Sequence, residues 1–194
     1  MKIIEKERKT LETEIKIRLD LNGKNLEKSI INTGIGFLDH MLELFSYHSG
    51  IKFEIEAKGD LKVDLHHTVE DIGLTLGEAI DEALSDRKGI SRYGESTIPM
   101  EEALSQAVID LAKRPYFYYE VKFPVEKIGS FDTELIEEFL KSLAINGKFT
   151  LHIRNFYGKN AHHIAESIFK ALAYAIKRAL QPIEVEVLST KGTL

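Results

Sequence analysis

The spacing of apolar and polar positions changes several times along the chain, and each change predicts an element. ETEIKIRLDLNG sets Ile15, Ile17, Leu19 and Leu21 alternately with polar neighbours and ends at Asn22-Gly23, which reads as a strand closed by a turn. A hairpin partner is expected over Leu26 to Ile31. Gly34 and Gly36 interrupt the pattern, and Phe37, Met41, Leu44 and Phe45 then recur at helical spacing, so His40 lies inside a helix. IKFEIEA alternates as another strand. Asp64 is positioned to cap a long helix that His66 and His67 open and that runs to about Leu84.

The same order returns further on. Ala103 to Leu111 and Tyr116 to Phe123 read as strands flanking Arg114-Pro115, Thr133 to Leu143 as a helix, and Lys148 to Ile153 as a strand. Asn160 caps a helix reaching about Leu180, Pro182 stops it, and Ile183 to Leu188 alternates as a short last strand. A shift of 96 residues carries His66-His67 onto His162-His163, Lys52-Phe53 onto Lys148-Phe149 and Asp64 onto Asn160. A shift of 98 carries FLDHML onto LIEEFL, and so His40 onto Glu138. The expected fold is therefore α+β, a two-layer α/β sandwich built by internal duplication. Its two similar halves, residues 1–92 and 93–194, are each a small mixed sheet with two helices packed on one face. No linker-like run parts them, so they should form one compact unit.

Composition narrows the chemistry. The chain has no cysteine, so any metal must be held by nitrogen and oxygen donors, and the same absence fits a reducing cytoplasm. A formal charge of −5 argues against a nucleic-acid partner. The start MKIIEKERKT is too charged for a signal peptide, and no apolar run approaches membrane-spanning length.

HHTVED at His66 to Asp71 and HHIAES at His162 to Ser167 each set paired imidazoles ahead of a carboxylate, a donor group suited to a transition metal. One such pair is commonly just solvated, but its duplication favours metal binding. Adjacent helical residues point about 100° apart, so His66 and His67 diverge while Glu70 can work beside either. The simplest arrangement is two metals, each taking one histidine from each half. Adding His40 to one and Glu138 to the other, with Glu166 and Glu70, gives four side chains per ion and leaves coordination open for a substrate. His48 ends the His40 helix and is a further candidate, whereas His152 reads as a packing or surface histidine. Arg92, Arg114, Lys170, Ser189, Thr190 and Lys191 form a set suited to phosphate, although spacing alone does not bring them together.

Over nearly the whole chain, the segments RKTLET, GIGFLDHML, DLHHTVEDIGLTLGEA, KGISRYG, FDTELIEEF, KNAHHIAESIFKALA and STKGTL resemble the imidazoleglycerol-phosphate dehydratase family of histidine biosynthesis. That resemblance implies removal of water from imidazole glycerol phosphate to give imidazole acetol phosphate, through a metal-bound ring and a diazafulvene-like intermediate. It implies two Mn2+ per subunit and a homo-oligomer of 24 subunits built from trimers, with active sites between subunits. By motif, one ion takes His40, His67, Glu70 and His162, and the other His66, Glu138, His163 and Glu166. Some family members carry histidine at the place of Glu138. Glu12 matches the family's substrate-contacting acid, with Glu70 and Glu166 also catalytic. Arg92, Arg114, Lys170, Ser189 and Lys191 match its phosphate contacts, and His40, His48, His66, His67, Glu70, His162 and Thr190 are expected beside the substrate. A dinuclear metallohydrolase acting on a small phosphorylated substrate is the competing enzyme reading, but no Asp stands where a bridging carboxylate would be needed. Metal storage in a ferritin-like bundle fits less well, because His precedes Glu and strands interrupt the helices.

Overall fold

A computed structural model describes residues 3–184 of the protein. The first half contains strands β1 (Ile4–Lys9), β2 (Thr13–Asp20), β3 (Ile30–Asn32) and β4 (Lys52–Gly59) and helices α1 (Gly36–Ser49) and α2 (His66–Leu84). The second contains β5 (Tyr93–Met100), β6 (Ala103–Asp110), β7 (Tyr116–Glu120), the short pair β8 (Lys127–Ile128) and β9 (Phe131–Asp132), α3 (Glu134–Asn146), β10 (Thr150–Tyr157) and α4 (Ala161–Ala179). One sheet has the order β1-β2-β4-β3 and the other β5-β6-β10-β7, each with a single parallel pair at its last edge. The duplication read from the sequence is thus a duplication of topology. Helix α3 starts 98 residues after α1, the shift that the sequence motifs give.

Alternation decides which face is covered. Ile15, Ile17 and Leu19 of β2 are fully buried, while Lys16 and Arg18 between them are exposed. Arg18 sits between Glu5 on β1 and Glu54 on β4, so the outer face of the first sheet is a charged lattice. Helices cover only the inner faces. Helix α2 packs against α3 and α1 against α4, so the helical layers of the two halves meet and make one continuous core.

The strand paired with β2 differs from expectation. β3 does not fold back on β2 as a hairpin; it lies parallel to β4. The Asn22-Gly23 turn is real, since Gly23 has φ 62° and its N–H bonds to the Asp20 carbonyl at 3.1 Å. The Asp20 carboxylate then accepts the backbone N–H groups of Asn25 and Leu26, which coils the chain away from the sheet. Both edges of β2 are already taken, by β1 and β4. β1, β5 and the short pair β8 and β9 go beyond the strands expected from the sequence. The expected last strand extends beyond the described residues; before them, Ile183 N–H bonds to the Gly89 carbonyl at 3.0 Å.

The halves touch almost backbone to backbone. A Cβ added to Gly77 of α2 would lie 2.7 Å from the Leu143 carbonyl oxygen and 2.8 Å from the Gly147 nitrogen, and one on Gly73 would lie 2.7 Å from the Phe139 oxygen. Neither contact is with a flexible side-chain end. Gly77→Leu should therefore force α2 and α3 apart at a cost of about 1–3 kcal/mol or more, the usual range for overpacking. A thermal melt should show the loss, and an unchanged midpoint would contradict this packing.

Candidate metal centre and active site

Because α1 packs on α4, one histidine from each half reaches the same place. His40 Nε2 lies 3.2 Å and His162 Nε2 3.1 Å from one oxygen of Glu166, and the two imidazole rings are 5.6 Å apart. Phe37 packs edge-on against His162 at 5.3 Å and steadies it. The other Glu166 oxygen accepts from Lys170 at 2.6 Å. Burial alone would raise the Glu166 carboxyl, but Lys170, His40 and His162 together hold it at about 2. The three donor atoms of His40, His162 and Glu166 lie within 4.8 Å of one another. Two imidazoles and an ionised carboxylate at this separation fit a divalent transition metal, and there is no thiolate to favour a softer ion.

The two paired-histidine motifs open their helices. Asn160 is the N-cap of α4 and accepts the His162 backbone N–H at 2.9 Å, as expected; Asp64 accepts that of His66 at 2.8 Å but stands one residue before Leu65, the N-cap of α2. The second histidine of each pair points elsewhere. His67 Nδ1 lies 3.0 Å from Asp60 and 3.7 Å from Glu12, while His163 Nδ1 lies 2.7 Å from Glu102 and 4.0 Å from Glu101. Hydrogen bonds to Asp60 and to Glu102 raise the affinity of these two rings for a proton. The hydrogen bond from His163, with backbone N–H groups, brings the Glu102 carboxyl down to about 2. Neither Asp60 nor Glu102 was singled out from the sequence.

Under the repeat, the counterparts of His40, His162 and Glu166 are Glu138, His66 and Glu70. This second set is looser: His66 Nε2 is 3.9 Å from Glu70, and Glu138 is held by Lys141 at 3.1 Å. A single chain therefore gathers His40, His162 and Glu166 but leaves His67 with Glu12 and Asp60, and His163 with Glu101 and Glu102. Neither of the four-residue ligand sets expected from the motifs is assembled within one chain.

Glu12 stands in the β1–β2 turn. Thr10 Oγ1 accepts the backbone N–H groups of Glu12 at 3.1 Å and Thr13 at 2.9 Å. Arg8 and Thr13 on either side bond Asp71 of α2, which fastens the turn to the helix carrying His67. The Glu12 side chain itself is exposed, as is Leu11 at the tip.

The basic residues split into two groups. Arg92 is buried, binds Asp110 through Nε at 2.7 Å and Nη2 at 3.0 Å, and its backbone N–H bonds to the Ala179 carbonyl at the end of α4. Arg114 shares Asp110 at 3.5 Å but is mostly exposed. Lys170 is instead on Glu166. His48 packs on Tyr174 at 5.4 Å, and burial together with the charges of Lys170 and Lys177 disfavours its protonation. His152 packs against Tyr116 and Tyr118 on the outer face of the second sheet, as a surface histidine would. Ser189, Thr190 and Lys191 lie outside the described residues. No helix among the described residues is long and apolar enough to cross a membrane.

The sequence model of imidazoleglycerol-phosphate dehydratase matches residues 33–176. The chain is 54% identical over 189 residues to the imidazoleglycerol-phosphate dehydratase of Clostridium botulinum (strain Hall), covering 96% of this chain and 95% of that one. It is 50% identical over 190 residues to that of Methylorubrum extorquens, covering 96% of each. Its fold superimposes on the crystal structure of the Staphylococcus aureus enzyme with a TM-score of 0.85 at 42% identity, over 94% of this chain and all 100% of the other. The Pyrococcus furiosus enzyme in complex with (S)-C348 gives 0.84 at 39% identity, over 97% and 100%. By its family match and its full-length relatives, the chain belongs to the imidazoleglycerol-phosphate dehydratase family of hydro-lyases.

Proposed function

We propose that this chain dehydrates imidazole glycerol phosphate using two manganese ions per subunit, in the cytoplasm, within a 24-subunit assembly of trimers whose active sites lie between chains. The observation that carries the reading is the convergence of His40 and His162, one from each half, which belong to the same ligand set. The ligand sets are His40, His67, Glu70 and His162 for one ion and His66, Glu138, His163 and Glu166 for the other. Bound manganese would supply Lewis acidity to the ring nitrogens of the substrate, favouring the deprotonated imidazole.

The chain's own residues account for the rest. Glu12 carries no hydrogen bond on its carboxylate among the described residues, so it is free to take or return the proton on the carbon beside the departing hydroxyl. Glu70 and Glu166 join it at the reacting groups. Arg92, Arg114, Lys170, Ser189 and Lys191 hold the phosphate, with His48 and Thr190 beside the substrate, and this anchoring fixes the reacting carbons.

Distances favour a site shared between chains. Arg92 bonds the last residue of α4 and His162 lies in its first turn, roughly 25 Å away at the ~1.5 Å rise per residue of a helix. No small phosphorylated imidazole spans that gap. The wholly exposed Leu11 beside Glu12 also suits a surface that a neighbouring chain covers.

Metal removal tests the proposal. Protein stripped with a chelator should lose turnover of imidazole glycerol phosphate and regain it when manganese is added back. Full activity in demonstrably metal-free protein would refute it.

A further inference from the structure

We infer that Asp60 and Glu102 are positioning residues that lock His67 and His163 as the Nδ1–H tautomer and so leave Nε2 of each ring as a metal donor. The inference rests on the metal reading above and concerns two residues outside the ligand sets.

The geometry is the same in both halves although the residues are not. His67 Nδ1 is 3.0 Å from an Asp60 oxygen and His163 Nδ1 is 2.7 Å from a Glu102 oxygen. An ionised carboxylate only accepts, so in each pair the imidazole must donate from Nδ1. A neutral ring that donates from one nitrogen has its lone pair on the other. Among the described residues, Nε2 of neither ring has a hydrogen-bond partner, in contrast to His40 and His162, whose Nε2 atoms face Glu166. The other oxygen of Asp60 is out of solvent and unbonded, so His67 is what compensates this carboxylate for burial.

The supporting carboxylates come from different places in the two halves. The shift of 96 that relates the histidines carries Asp60 onto Phe156, so the second half has no acid there. Its carboxylate comes instead from Glu102 in the β5–β6 turn, the topological counterpart of the β1–β2 turn that holds Glu12. Glu102 is tethered: its second oxygen accepts the backbone N–H groups of Lys159 at 3.1 Å and Asn160 at 2.7 Å, ahead of α4. Glu12 has no such bonds and stands 3.7 Å from His67. Asp60 therefore relieves Glu12 of the supporting task that Glu102 performs, which leaves the Glu12 carboxylate unengaged for acid–base work.

Manganese alone, titrated into metal-stripped full-length protein, provides the test. Loss of a carboxylate behind a ligating histidine typically weakens metal binding ~10–100-fold. Asp60→Ala and Glu102→Ala should each weaken one class of site by that factor, whereas Asp60→Asn and Glu102→Gln, which keep an acceptor oxygen, should recover part of it. Glu12→Ala should leave the binding curve unchanged. Nitrogen NMR of histidine-labelled, metal-free protein should show Nδ1–H on both rings without substitution, and it decides the matter even if an alanine variant fails to fold. An Nε2–H tautomer there, or alanine variants that bind manganese normally, would overturn the inference alone. Failure of the unsubstituted protein to take up manganese would overturn the metal assignment as well.

Discussion

Glu12→Gln should leave manganese and substrate binding intact and lower kcat by ~10²–10⁴-fold, the range that a positioned proton-transfer group contributes. The amide keeps the size and hydrogen-bonding reach of the carboxylate but cannot accept the proton. The fold should be undisturbed, because the turn is held by its neighbours: Thr10 binds the backbone, and Arg8 and Thr13 grip Asp71. Steady-state kinetics beside equilibrium binding of substrate to the same variant separate the two effects. Wild-type turnover in Glu12→Gln would remove Glu12 from the chemistry.

Arg87→Ala should produce the largest loss of stability. The Arg87 side chain has 0% exposure, a rare setting for a guanidinium. Its Nη1 donates to the Lys148 carbonyl at 2.7 Å, and its Nη2 donates to the Gly147 carbonyl at 2.7 Å and to Asp81 at 2.6 Å. These carbonyls close the loop between α3 and β10, while Asp81 lies on α2, so the side chain ties the first half to the second. Removing it leaves two inward carbonyls without their donor and Asp81 with only Lys148. Breaking a buried charged network of this kind costs about 3–5 kcal/mol. For a chain of this size that corresponds to roughly 6–20 °C in melting temperature. Calorimetry would detect such a shift easily, and a change of only a degree or two would mean that the clamp contributes little.

Repetition made much of this architecture legible. Four helices could be read from spacing and capping residues, because periodicity and N-caps are local signals. The strands that escaped notice have physical reasons for doing so. β1 is an edge strand whose sequence IEKERK is mostly charge, and β5 contains Gly94 and Pro99, which argue against a strand in isolation. Pro99 is tolerated because β5 is itself an edge. β3 overlaps only the end of the expected strand and pairs with β4 instead of β2, since the direction of return depends on Asp20 gripping the backbone amides of Asn25 and Leu26, five and six residues on.

The candidate site divides along the same line. His40 and His162 were expected on one ion, and the structure brings them together, but it sets Glu166 beside them where the motifs assign Glu166 to the other ion. Asp60 and Glu102 went unnoticed because their significance depends on where a strand end and a hairpin turn lie relative to a helix, which no spacing rule supplies. Arg92 illustrates the converse: a motif suggested its role, and tertiary packing then gave it Asp110 as a close partner.

The pairing of α1 with α4 and of α2 with α3 has a historical consequence. Exchanging the two copies maps one pair onto the other, so the seam between them has the form of an isologous dimer contact. A progenitor of half the length would have hidden its helices only by associating with itself, and both of its hairpin tips would have been identical. Joined in one chain, the two tips are no longer required to match, and this polypeptide carries both a fastened glutamate, Glu102, and a loose one, Glu12.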